Sequence, residues 1–577
     1  MSRNIKLKII WTIGIAILLI VPSSYAIIKL GTDDSGQGWF GDDTGLITCS
    51  NGRAYEQTAA NLQAAIYSFN GTLGGWVDGG MNNISLSSTL YLTDNVELRN
   101  IRLFLADNAN CTMIENAGQI GWERTSSTRG NIAYNYNIKL TNVILDGNCY
   151  NQPTWVYNNN PFKMPDGIFM VKSMNFAISN CKFMNITHAC INADLCNGSM
   201  IRDSRFYNWG GRYLQNGATT GTGKGYGSAG MWISQSFNTS VSGCFFDTGW
   251  SGAVIMETFF PSDTSQDTGD FIVSNCIAQN CHFGFYCEDA RDGSFSDCIA
   301  RNISRALIDT SVQAPWGFLA SSTENIKFSG CNAYYCGNDS DNTGGSFFGE
   351  SNNGSFINCN SYHSYASGFQ FGKHNFRIEG CGSFNDSGTG IYCDGDVLNP
   401  SVIGNTVIDS GSVGIYVGST YTTTNRNAVI SNNIVNTSDN YGIYCAINNY
   451  SITGNCVNNI VIGSNMIGII AYWSDFGVIN NNKVTRCTNY GICFSGGADN
   501  STVSNNFISY CTNGIKTSGG AVPSSNITIS FNRIMSCNVG IVENTNNDWN
   551  IIFGNNCLGC TTNLTVVGAN TWNYYNR

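Results

Sequence analysis

Short apolar runs recur along most of this chain, each opened by a small or amide side chain. Examples are Ser179-Asn180-Cys181-Lys182-Phe183, Ser242-Gly243-Cys244-Phe245-Phe246 and Ser274-Asn275-Cys276-Ile277-Ala278. Within each run polar and apolar residues alternate, the period of a strand with one buried face. The opening position recurs as Cys181, Ser204, Cys244, Cys276, Cys298, Cys331, Cys359, Cys381, Asn405, Asn433, Cys456, Asn482, Asn506, Asn532 and Asn556, with a commonest step near 24 residues. An interval of that size, held over so much of a chain, predicts a solenoid of about 15 stacked coils.

Stacking explains the residue choice. Equivalent positions of successive coils lie roughly 4.8 Å apart, so identical side chains face each other along the axis. Asn tolerates the left-handed backbone of a tight corner, and its amide can bond to the Asn of the next coil. Cys is a small filler that buries readily. Two more registers keep step: Cys281, Cys336, Cys487, Cys511 and Cys537 lie five residues after a pivot, and Gly284-Phe285-Tyr286-Cys287, Gly390-Ile391-Tyr392-Cys393, Gly442-Ile443-Tyr444-Cys445 and Gly491-Ile492-Cys493 open a later strand. Seventeen of the 24 cysteines are thus periodic, which favours packed free thiols. The unphased Cys49, Cys111, Cys149, Cys190, Cys196, Cys557 and Cys560 are the better disulfide candidates, and Cys557-x-x-Cys560 alone is a weak metal signal.

The first part of the chain reads differently. Arg3, Lys6 and Lys8 precede an apolar run, Ile9 to Val21, and Ser24-Tyr25-Ala26 has the small-x-small form of a cleavage site. Residues 1–26 are expected to be a cleaved signal or an uncleaved membrane anchor, the body lying outside the cytoplasm in either case. A polar linker fills 27–50. A cap spans 51–75, in which Leu62, Ala65, Ile66 and Phe69 mark one face of a helix that covers the first open sheet edge. The solenoid is expected over 76–560 and a terminal cap or tail over 561–577. Composition agrees: only 12% of residues are charged and only eight are proline, as stacked strands require. A net charge of -10 without a basic run beyond the N-terminus excludes nucleic acid as a partner and leaves the membrane only to an uncleaved N-terminal segment.

The helix, Gly74-Gly75-Trp76-Val77, the segment Ser88 to Arg99, Val143 to Asn148 and the repeats from Asp166 to Asn556 resemble secreted proteins of the pectin-lyase-like superfamily. That resemblance implies an all-β fold, a single-stranded right-handed parallel β-helix with a short N-terminal capping helix. It implies less about function, because the superfamily includes polysaccharide lyases, glycoside hydrolases, epimerases, tailspikes, adhesins and non-catalytic surface proteins. The polygalacturonase motifs Gly-His-Gly and Asn-Thr-Asp are absent, and Arg377-Ile378-Glu379 departs from Arg-Ile-Lys. The looser lyase requirement, an acidic calcium cluster with a basic residue, stays open.

The coil register locates a candidate site. Four to six places after the residue opening the later strand lie Lys172, Asp194, Gln235, Glu257, Glu288 with Asp289, Glu350, Lys373 with His374, and Asp394 with Asp396, with Asp309 one place early; the last six coils have no charge in that window. Glu257, Glu288, Asp289, Asp309 and Glu350 are candidate catalytic carboxylates, with Arg291 and His374 as candidate bases. Glu257, Asp289 and Asp309 are candidate calcium ligands, the one cofactor the pattern implies. Asp194, Lys373 and Asp394 would touch substrate, as would Trp209, Tyr213, Phe259 and Trp316 in insertions expected near 206–230, 259–270 and 311–324. Two functions follow: a secreted or cell-surface polysaccharide lyase or glycoside hydrolase, or a non-catalytic structural or glycan-binding surface protein. The partner in both is an extracellular glycan.

Overall fold

The computed structural model describes residues 29–32, 38–41 and 45–577, apart from 117–133, 153–164, 211–227, 259–267, 305–313, 339–342, 419–426, 447–454, 473–476, 518–523, 545–546, 567–569 and positions 394, 396, 548, 575 and 577. Residues 1–26, expected to be a signal or an anchor, lie outside the described residues.

Each coil runs through three short strands, as in Ala177–Ser179, Lys182–Ile186 and Ile191–Asp194. Every strand pairs in parallel and in register with its equivalent one coil on: Ala177 with Met200, Phe183 with Phe206, Ile191 with Met231. Three faces result, and the third carries eighteen successive strands, from Leu90–Leu92 to Thr562–Thr565. That exceeds the expected fifteen because the earliest coils lack the pivot residue. The stacking also runs past residue 560, since Thr562–Thr565 pairs with Val539–Val542 and Trp572–Tyr574 pairs with Ile551–Phe553.

Corners decide the residue types. Between the first two strands one residue takes a left-handed φ, among them Asn180, Asn275, Asn358, Asn432, Asn481 and Asn505, where Asn and Gly cost least. The next residue turns inward. In the C-terminal coils it is Asn405, Asn433, Asn459, Asn482, Asn506, Asn532, Asn555 and Asn576, and each Oδ1 accepts the backbone N–H and the Nδ2 of the equivalent residue one coil before, where that residue is Asn. The column therefore passes through Asn459 and Asn555, correcting Cys456 and Asn556. Cys456 pairs with Ile430 in a strand, and Asn556 pairs with Arg533.

A second corner column follows the second strand: Cys281, Ile303, Cys336, Ser364, Asp386, Ser410, Ser438, Ser464, Cys487, Cys511, Cys537 and Cys560, linked by backbone bonds such as Ser304 N–H to Cys281 O and Gly411 N–H to Asp386 O. None of the 24 cysteines is in a disulfide. The supposedly unphased ones are packed like the rest: Cys560 ends this column, Cys557 pairs with Ile534, and the Cys196 N–H donates to Ser236 Oγ at 3.0 Å. Burial pushes the Cys181, Cys196 and Cys336 thiols up to about 12. They are fillers, since the reactive form is the thiolate.

Inside, phenylalanines stack from coil to coil: Phe285–Phe318, Phe318–Phe347 and Phe347–Phe369 at centroid distances of 5.1, 4.7 and 4.7 Å, spacings at which offset rings attract. The helix α1 (Ala59–Tyr67), capped by Thr58 and stopped before Gly71, buries Leu62, Ala65 and Ile66. Its Gln63 side chain donates to Tyr91 O and accepts from Tyr91 N, both at 2.8 Å, standing in for the missing strand at the open edge.

Replacing Asn506 by Ala orphans the Asn482 N–H, takes the side-chain donor from the Ile479 carbonyl and leaves the Asn482 amide only its bond to Cys456 O. At about 1–3 kcal/mol per buried group that loses a partner, a loss of roughly 3–5 kcal/mol is expected. The urea unfolding midpoint checks it; a loss below about 1 kcal/mol would show that the amide column does not hold the coils.

Candidate functional site

The third face has an inner and an outer side, set by strand alternation. In Gly252–Glu257 and Phe283–Glu288, Val254, Met256, Phe285 and Cys287 join the interior, while Ile255, Glu257, Tyr286 and Glu288 point out. Register aligns the outward residues in two rows. One runs Glu115, Phe169, Asn192, Trp232, Ile255, Tyr286, Leu319, Phe348, Gln370, Tyr392, Tyr416, Tyr444. Beside it lie Val171, Asp194, Ser234, Glu257, Glu288 and Ser321. Glu350 carries this second row on, opposite a bulge between Ala320 and Thr323.

Glu257 and Glu288 are register partners, so their side chains leave adjacent strands about 4.8 Å apart. Two like charges at about 5 Å repel by roughly 0.8 kcal/mol even in water, and by more on a half-buried face. Aromatic donors compensate. Trp232 Nε1–H donates to Glu257 Oε1 at 2.6 Å, and the Tyr286 hydroxyl donates to Glu288 Oε2. Burial, reinforced by the Glu288 and Glu257 carboxylates, raises the Tyr286 phenol well above its ordinary range, so it stays a donor.

Behind Trp232, whose ring centroid is 5.9 Å from that of His188, sits a buried pair. His188 Nδ1 is 2.5 Å from Asp166 Oδ1, and Asp166 also accepts from Ala189 N at 3.0 Å and Asn192 Nδ2 at 3.1 Å. The imidazole orientation is thereby fixed, and through its ring contact so is one side of Trp232. Burial, with the Asp166 carboxylate adding to it, pushes the Glu115 carboxyl up to about 7.

The sequence-derived residues are distributed as follows. Asp194, Glu257, Glu288 and Glu350 share the second outward row, Asp194 fully buried. Asp289 is one place further, at a left-handed corner, so Glu288 rather than Asp289 stands beside Glu257. Arg291 lies opposite Glu324, off the carboxylate row. His374 Nδ1 accepts the Leu398 N–H at 3.0 Å and its carbonyl accepts from Asn353, so it too stands outside the row; Lys373 is half-exposed beside it. Trp209 is a core residue with no exposed surface, seated where a Cβ on Gly249 would come 1.8 Å from its ring, and it offers no face to a sugar. Trp316 opens the strand Trp316–Glu324, which occupies the stretch expected to be an insertion, and packs against Phe348 at 5.0 Å. Ser321 of that strand pairs with Glu288. Asp309, Tyr213, Phe259 and Asp394 lie outside the described residues.

Sequence reasoning missed the Asp166–His188 pair, the donors Trp232 and Tyr286, and the Tyr392–Tyr416–Tyr444 row. The tyrosines had a signal, since each precedes an inward Cys or Val and must face outward. The His188 pairing had none, because Asp166 is an ordinary loop residue until the coil closes.

A model of the family described as "Right handed beta helix region" matches residues 166–319. A model described as "Periplasmic copper-binding protein (NosD)" matches residues 453–577. No curated protein matches the chain. Among solved structures it is similar to the A-module of the mannuronan C-5 epimerase AlgE6 of Azotobacter vinelandii, at 11% identity over 90% of this chain and 95% of that one, TM-score 0.23. It is similar also to an exopolygalacturonase of Thermotoga maritima, at 10% identity over 71% and 87%, TM-score 0.35, and to PfbA, a surface adhesin of Streptococcus pneumoniae, at 12% identity over 90% and 88%, TM-score 0.22. The chain is a right-handed parallel β-helix, the architecture that the family match at residues 166–319 describes. The stretch matched by the copper-binding family contains no histidine, and among the described residues no three His, Cys, Asp or Glu side chains are grouped to hold a metal ion.

Asp386 is a carboxyl inside the coil. Asp386 accepts from Ser361 Oγ at 2.9 Å, Ser364 N at 2.7 Å and Ser383 Oγ at 2.6 Å, yet burial still pushes it up to about 6. The folded state therefore holds this proton more tightly than the unfolded chain, whose aspartate titrates near 4. Stability from this group is fully present below about pH 4 and is lost as pH rises through about 6, a fall of about 3 kcal/mol. Urea unfolding of wild type and Asp386→Asn across that window is expected to show the variant gaining relative stability as pH rises; a pH-independent difference would contradict it.

Proposed function

We propose that the protein acts on a polysaccharide outside the cytoplasm, with Glu257 and Glu288 as the carboxyl pair that cleaves a glycosidic linkage on the third face. The observation that carries this reading is that the two are register neighbours, face outward and are each held by an aromatic donor. Acid–base cleavage of a glycoside needs two carboxyl groups facing one linkage, and outward residues at register positions of adjacent strands meet that need. Trp232, backed by His188, orients Glu257, and Tyr286 orients Glu288. The N-terminal sequence, and the match of the C-terminal stretch to a family described as periplasmic, support an address in the cell envelope or beyond.

A second reading is a surface protein that holds glycan without cleaving it. It is favoured by both carboxylates already accepting hydrogen bonds from neighbouring aromatics, an arrangement that suits static recognition.

Turnover of a panel of neutral and acidic polysaccharides, followed by reducing ends and by unsaturated products, decides between them. New reducing ends that fall by about 10²–10⁴-fold in Glu257→Gln and Glu288→Gln support hydrolysis. Unsaturated product would make it a lyase. Binding without turnover, unchanged in both variants, leaves the second reading.

A further inference from the structure

We infer that the glycan this face takes is uncharged, and that it runs from the carboxylate pair along a strip of tyrosines at Tyr392, Tyr416 and Tyr444. The inference rests on the proposed glycan function and names the substrate class. The three tyrosines continue the outward row that contains Trp232 and Tyr286, on successive coils, with Leu319, Phe348 and Gln370 between. Tyr286 and Leu319 are only 4% exposed, so the open part of the row runs from Phe348 to Tyr444, four coil steps or roughly 19 Å at one strand spacing each. That is long enough for several sugar units.

The rings are built as a strip. Tyr392 and Tyr416 lie 5.0 Å apart between centroids, and Tyr416 and Tyr444 lie 4.9 Å apart at 15°. Tyr444 is flanked by Tyr441 at 5.4 Å and Tyr472 at 6.0 Å. The three strip tyrosines are half-exposed, and Tyr472 is more so. The interior does not need them, because the inward positions of the same strands are filled by Ile391, Cys393, Ile415, Val417, Ile443 and Cys445.

Charge selects the ligand. The row carries no ionic group from Tyr416 through Tyr444, Ile470 and Cys493; Lys516 is the next, and its ammonium is held by the Tyr490 hydroxyl at 2.8 Å. At the other end stand Asp194, Glu257, Glu288 and Glu350. A polyuronate would put a negative charge on alternate or successive units against those carboxylates and, among the described positions of the row, find no cation from Tyr416 to Cys493. A neutral chain meets neither penalty, and its C–H faces and hydroxyls match ring edges and phenols.

Calorimetric titration of the full chain with cello-, malto- and chito-oligosaccharides and with oligogalacturonate tests this. One neutral series is expected to bind more tightly as it lengthens, and oligogalacturonate is expected to bind at least tenfold more weakly. The double variant Tyr416→Ala/Tyr444→Ala should lose about tenfold in affinity for the long neutral oligomer and nothing for the disaccharide. Tyr416→Phe/Tyr444→Phe, which keeps the rings, controls for folding and should lose less. Tighter binding of oligogalacturonate, no binding by any neutral series, or equal affinities in wild type and the alanine double variant would each overturn the inference. If Glu257→Gln abolishes turnover while the tyrosine variants bind normally, the strip is wrong and the catalytic proposal stands. If the strip binds and wild type turns nothing over, the reverse holds.

Discussion

Every coil is held one strand spacing from the next by its corners, where a left-handed residue turns the chain and the following side chain is buried. Where that side chain is Asn, one amide satisfies the backbone N–H and the amide of the coil before it, and its own Nδ2 bonds a carbonyl deeper in the corner. A buried corner would otherwise carry unpaired backbone groups. The column makes tight corners compatible with burial, and thereby keeps the three strands of each coil in parallel register with the next.

The outward rows depend on that register. Glu257 and Glu288 are 31 positions apart in sequence and adjacent in space only because no coil slips between them. A slip of one residue would send Glu257 inward and Met256 outward, since successive strand residues point to opposite faces. The same constraint lines up Tyr392, Tyr416 and Tyr444 and lets Trp232 reach across one coil to Glu257. A rigid interior of stacked phenylalanines and buried thiols leaves the outer side of the third face free to vary its chemistry along the axis, acidic near Glu257 and aromatic near Tyr416.

The legibility of the site followed the same division. Glu257, Glu288 and Asp194 were found because the opening glycine of the later strand gives a ruler that survives changes in loop length elsewhere in the coil. The ruler failed locally where it spanned a corner: Asp289 and His374 fell off the row because left-handed residues and irregular turns break a fixed count. It also failed at Trp209, where an aromatic beside an insertion reads as exposed until the strand Arg205–Trp209 is seen to turn its last residue inward. The residue types around Cys456 are those of a corner, but Asn459, three places later, is the one that follows a left-handed residue, Asn458, and joins the amide column.

The sequence by itself determined the coil period, the strand alternation and the capping helix, and favoured packed thiols over disulfides, because these depend on residues close together or repeated at one interval. Only the tertiary structure decided that Asp166 meets His188, that Trp232 and Tyr286 hold the carboxylates, and that Asp386 is an interior acid. Those contacts depend on side-chain direction and burial, which arise when three faces close around one core.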